Sequence, residues 1–286
     1  MQLPPALELY ASLVFLAAVG CGSTSDNPGP THTTPPVCTA PGYAVESDGT
    51  QINSVLASLV LPTGEVAADL AVQVCGLDSC LNYKSKQNGV VQESPARMMI
   101  RPAFKYGDGF DFAEFAVPLS EKDTKLGTVV ALPLPSYAAG VQFPKSGGGA
   151  VSNGDLTLHL DANGSFEHDI LSYSDESELV FRSVAVPLAE SEQAFPPGWG
   201  FDLAYGLAPL GTTFCPPAKL SLKNTLAWPP DTEVEVYVQG LDVSEDWAPY
   251  GSWTQVAEAR VSGDGKSIDT TSGGLPILSS IALSRK

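Results

Sequence analysis

Leu156-Thr157-Leu158-His159-Leu160-Asp161-Ala162-Asn163-Gly164-Ser165 is the stretch that decides how this chain folds. Leu156, Leu158 and Leu160 alternate with Thr157 and His159, a period of two that puts the apolar side chains on one face of a strand. Asn163-Gly164 supplies the pair favoured where both residues of a tight turn take positive φ, so the stretch predicts a hairpin. Val261-Ser262-Gly263-Asp264-Gly265-Lys266-Ser267-Ile268 repeats the pattern with Asp-Gly. Val234, Val236 and Val238 alternate with Glu233, Glu235, Tyr237 and Gln239, which predicts a strand with one dry and one wet face. Upstream, Val55 to Leu61, Leu70 to Val74, Met98 to Ile100, Phe110 to Val117 and Val129 to Leu134 are further strand-length apolar runs. They recur at intervals of roughly 10 to 15 residues, and no stretch sustains a helical period. The prediction is an all-β protein of two tandem antiparallel β-sandwich domains.

Composition agrees with turn-rich β structure: 27 Gly and 24 Pro against 16% charged residues in 286. With 32 acidic and 15 basic residues the formal net charge is -17. An acidic surface repels phosphate backbones and no Lys/Arg cluster offsets it, which excludes nucleic acid as an expected partner. Residues 22–36 hold no apolar side chain and are rich in Pro and Thr, so they read as an extended stalk. Gly147-Gly148-Gly149 reads as a linker, placing a domain boundary near residue 140.

At the other end, Phe15-Leu16-Ala17-Ala18-Val19-Gly20-Cys21 is followed at once by Gly22-Ser23-Thr24-Ser25. This resembles a bacterial lipobox. The resemblance implies cleavage before Cys21, lipidation of its thiol, export, and a membrane partner reached through that anchor. The apolar core from Ala11 to Val19 has signal-peptide length and falls short of the roughly 20 residues that cross a bilayer. Gly22, rather than Asp, implies sorting to the outer membrane or cell surface. The expected organisation is a signal peptide at 1–20, lipidated Cys21 and stalk at 21–40, and sandwiches at 41–140 and 141–286.

Setting Cys21 aside leaves Cys38, Cys75, Cys80 and Cys215. An even number of thiols in an exported protein points to disulfides, with three possible connectivities. The short spacing favours Cys75–Cys80, leaving Cys38–Cys215 to tie the start of the folded region to the second domain. The rival is a zinc site, for which Cys38 and Cys215 bring no paired neighbour.

Two further resemblances bear on the domains. The Pro62-Thr63-Gly64-Glu65-Val66 turn, the strand ending Val72-Gln73-Val74-Cys75, Phe115-Ala116-Val117-Pro118-Leu119 and Leu126-Gly127-Thr128-Val129-Val130-Ala131-Leu132 are similar to a carboxypeptidase regulatory-like domain. That family implies a transthyretin-type seven-stranded sandwich over about 45–135, without catalytic residues. Pro209-Leu210-Gly211-Thr212-Thr213-Phe214, Pro217-Ala218, Trp228, Trp253 and Val261-Ser262-Gly263-Asp264-Gly265 resemble a ZU5-like module over roughly 150–283.

Chemistry-bearing constellations are sparse. His32 lies in the stalk. His159 and His168 would form a weak metal pair if the Asn163-Gly164 turn brought them face to face, and as ordinary surface residues otherwise. No Gly-x-Ser-x-Gly is present, and Gly147-Gly148-Gly149 lacks the Lys and helix of a phosphate loop. Asp175-Glu176-Ser177-Glu178 and Asp161-Ala162-Asn163-Gly164-Ser165 are fragments of calcium-loop chemistry that read better as solvated acidic turns. Trp247, Tyr250 and Trp253 concentrate in one expected loop, where exposed rings would stack on sugars and buried ones would cap the core. The expectation is therefore a lipid-anchored envelope protein with a structural or interaction role, no catalysis, no cofactor and no bound metal. The alternative is a carbohydrate- or matrix-binding adhesin using Trp247–Trp253.

Overall fold

The computed structural model describes residues 38–43, 48–145, 148–169, 172–173, 175–187, 200–243 and 247–286. Cys21, the signal peptide and most of the stalk fall outside them. The described residues belong to one compact unit. They carry strands and two 3₁₀ turns, at Tyr137–Ala139 and Glu176–Glu178, and no α-helix, so the all-β expectation holds.

The first half of the chain supplies β1 Thr50–Ile52, β2 Ser54–Val60, β3 Ala71–Gly76, β4 Ser79–Lys84 and β5 Val90–Glu93. It continues with β6 Arg97–Met99, β7 Ala103–Tyr106, β8 Phe115–Pro118 and β9 Asp123–Val130. A three-stranded sheet, β5-β2-β9, and a four-stranded sheet, β4-β3-β7-β8, are accompanied by the β1–β6 pair. β2 is antiparallel to β5 and parallel to β9. Val55, Ala57 and Leu59 of β2 share one core with Val72 and Val74 of β3, as the period of two requires.

The second half supplies β10 Val141–Gln142, β11 Gly149–Asn153, β12 Leu156–Leu160, β13 Ser165–Glu167, β14 Val180–Ala185 and β15 Leu203–Ala208. After these come β16 Thr213–Lys223, β17 Glu233–Gln239, β18 Trp253–Val261, β19 Ser267–Gly273, β20 Leu275–Ile277 and β21 Ile281–Arg285. They form one sheet in the order β10-β14-β15-β21-β17-β18-β19-β16-β12-β11, with β13 and β20 also on β16. The sheet curls around its own apolar core until its ends meet. Ser183 of β14 donates its amide to Asn153 Oδ1 of β11 at 2.8 Å and its hydroxyl to the Asn153 carbonyl at 2.7 Å. Side-chain bonds thus protect edges that backbone pairing would otherwise leave open.

The Asn163-Gly164 hairpin is not formed. β12 and β13 both run antiparallel to β16, pairing His159 with Lys219 and Ser165 with Cys215, so the chain jogs and continues along one partner. The jog is an Asx turn in which Asp161 Oδ1 accepts the Asn163 amide at 2.8 Å. Glycine is needed at 164 for proximity rather than for positive φ: a Cβ would meet the Cys215 carbonyl oxygen at 2.9 Å and Pro216 Cδ at 3.0 Å. The Val261–Ile268 hairpin does form, joining β18 to β19, with Gly265 at φ 71°.

The wet face assigned to β17 is corrected in part: Gln239 is 0% exposed. Tyr237 packs, with Trp253, Ala204, Ala208 and Ala282, onto the core of the first half, so the second sheet is covered on both faces there. β15 comes so close that a Cβ on Gly206 would stand 2.2 Å from that of Ala113.

Both disulfides are formed. Cys75 faces Cys80 across the β3–β4 hairpin, and Cys38 is bonded to Cys215, 177 residues away. Loop-closure entropy makes the long bridge worth about 5 kcal/mol and the short one about 2 kcal/mol in the chain-entropy model.

Candidate functional site

Among the described residues, a cleft of about 130 Å³ lies where the two halves meet. Its floor is built by β7 and the loop that leads to β8. Asp108 Oδ1 accepts the amides of Phe110, Asp111 and Phe112 at 2.9, 2.9 and 3.0 Å, which folds that loop on itself. Gly107, at φ 87°, permits the approach, since a Cβ there would lie 2.2 Å from the Ala113 carbonyl oxygen. The loop presents Glu114 to Lys105 at 3.1 Å, with both side chains largely buried. Burial pushes the Glu114 carboxyl above its ordinary pKa, Asp108 and Asp242 add to the rise, and the Lys105 ammonium opposes it. Tyr173 closes one wall, donating to the Gly109 carbonyl at 3.3 Å and accepting the Leu210 amide at 2.8 Å.

The Glu114–Lys105 pair and the Tyr173 hydroxyl are bonded to protein partners, so none of them stands as an activated nucleophile. Glu114 was the one legible signal here, a carboxylate inside the run Phe112-Ala113-Glu114-Phe115-Ala116-Val117. Lys105 and Tyr173 carried none.

The histidines lie apart. Their registers on β16 separate His159 and His168 by about 20 Å at strand spacing. His159 Nε2 is 3.0 Å from Ser221 Oγ, but that hydroxyl donates to Asp269 Oδ1 at 2.6 Å. Serine therefore stands between histidine and aspartate, whereas base-assisted attack needs histidine in the middle. His168 packs edge-on against Phe143 and Phe166 and bonds Thr212 Oγ1 at 2.9 Å. Burial lowers its pKa. The unfolded chain then takes the proton more readily, so this contribution is complete above a pH of about 6.5 and is lost below it. The denaturant midpoint is expected to fall from about pH 7.5 to about 5.5, and to fall less in His168→Gln.

Asp175 Oδ1 accepts the Ser177 amide at 2.8 Å, and Asp161 is committed to its Asx turn. Among the described residues no group of three His, Cys, Asp or Glu side chains could hold a metal ion.

Tyr250 and Trp253 are each 4% exposed and Trp247 is half-buried. The Trp253 ring lies 5.2 Å from that of Phe201. The two buried rings offer no face on which a sugar could stack. Trp253→Ala is expected to lower the unfolding free energy by about 3–5 kcal/mol, read as a fall in the urea midpoint. Loss of glycan retention at an unchanged midpoint would instead make the ring a ligand contact.

No family model matches the chain, and no curated protein does. Among solved structures, a candidate carbohydrate binding protein from Bacteroides uniformis is similar at 9% identity. The similarity covers 82% of this chain and 80% of that one, with a TM-score of 0.23. A superposition that loose assigns neither fold nor ligand to this protein.

Proposed function

We propose that this is an exported, lipid-anchored envelope protein that works by presenting a rigid acidic β surface, without catalysis. The observation that carries the reading is the pair of disulfides, Cys38–Cys215 and Cys75–Cys80. Such bonds persist outside the reducing cytosol. The lipobox-like run ending at Cys21 supplies the anchor, and sorting to the outer membrane or cell surface follows from Gly22. On this reading residues 41–140 are a regulatory-like sandwich and 141–286 a ZU5-like module; the first assignment rests on the sheets of three and four strands, to which the β1–β6 pair is an addition. The partner is a protein or a glycan, met by a surface of net charge -17.

Cys21→Ser tests the proposal. The native protein should fractionate with membranes and resist release by high salt, while the variant should appear in the soluble fraction. Equal membrane retention of both would overturn the anchor.

A further inference from the structure

Residues 38–43 lead into the strands of the first half, yet they are fastened to the second. Cys38 is bonded to Cys215. Further on, the Tyr43 hydroxyl donates to the Trp247 carbonyl and stands 3.5 Å from Thr254 Oγ1 of β18. Cys215 belongs to β16, an 11-residue strand. That strand is hydrogen-bonded to β12, β13, β19 and β20. The first strand beyond the fastening, β1, has 3 residues and pairs with β6.

From this arrangement we infer that the Cys38–Cys215 bond is a strap that carries tension from an N-terminal attachment directly into β16, with the Tyr43 clasp as a second, non-covalent fastening behind it. Residues 39–214 then lie outside the path of any pull applied beyond Cys215. A covalent bond holds at forces that part hydrogen-bonded strands, so the short β1–β6 pair is never the link that yields first. The chain in between, which holds all nine strands of the first half, bears no load while the molecule is under tension. In the cell this strap serves the anchoring proposed above.

Single-molecule pulling of the full chain through handles at its two termini tests the strap, and it needs no lipid. Failure of the anchor and failure of the strap are therefore separate results. For the oxidised protein, extension should be confined to residues after Cys215, roughly 250 Å of contour length. Cys38→Ser combined with Cys215→Ser should release the 177-residue separation as well, roughly 600 Å more. In that double variant Tyr43→Phe should lower the force of the first event, because the clasp is then a fastening that still ties this segment to the second half. Moving one handle to position 122, inside the bypassed segment, should let the first half unfold even when oxidised. The strap is overturned if the oxidised protein yields the longer increment from its termini, if both handle positions give the same increments, or if Tyr43→Phe leaves the first event unchanged.

Discussion

Gln239→Leu should lower the unfolding free energy by about 2–5 kcal/mol, although leucine is close to glutamine in size. β8 is the last strand of the β4-β3-β7-β8 sheet, and among the described residues no strand pairs with its outer edge. The Gln239 side chain takes that place. Its amide nitrogen donates to the Ala116 carbonyl at 2.6 Å, and its oxygen accepts the Ala116 amide at 3.3 Å. Ser280 assists two residues away by donating its hydroxyl to the Glu114 carbonyl at 2.7 Å. Leucine would leave two backbone groups buried without partners, at about 1–3 kcal/mol each. Urea unfolding should show the loss, and hydrogen exchange should show faster exchange at the Ala116 amide. A change below about 1 kcal/mol would mean that the halves are held together elsewhere.

Arg182→Ala should cost about 3–5 kcal/mol. Arg182 is 1% exposed. Its Nη1 donates to the Phe110 and Pro135 carbonyls at 2.6 and 3.2 Å, both from the first half, while its own strand, β14, belongs to the second. The guanidinium carbon lies 3.9 Å from the centroid of the Tyr137 ring. Alanine would open a cavity, strand two carbonyls and remove the stacked cation. Arg182→Lys should recover little, because a single ammonium cannot both stack and span the two carbonyls. Full recovery by lysine, seen as an unchanged urea midpoint, would show that charge alone matters at this position.

These two residues also mark where the sequence stops being legible. The strands could be read because burial on one face imposes a period of two, as Val55, Ala57 and Leu59 show. Cys75 and Cys80 could be paired because the bridge spans one hairpin. Gln239 could not be recognised as core, because its alternation with Val238 looks the same whether the polar face meets water or another layer. Arg182 was hidden because its partners come from the far half of the chain, and Lys105 because the loop between β7 and β8 must fold back before Glu114 reaches it. Asn163-Gly164 misled because glycine answers two different needs, positive φ and close approach, and here it answers the second.

The lipid-anchored, disulfide-bonded reading is tested most directly by the intact mass of protein extracted from membranes, measured before and after reduction. The expected mass begins at Cys21, carries acyl chains, and rises on reduction by two hydrogens for each of the bonds Cys38–Cys215 and Cys75–Cys80. An unacylated full-length mass recovered from the soluble fraction, or a mass that does not change on reduction, would contradict it.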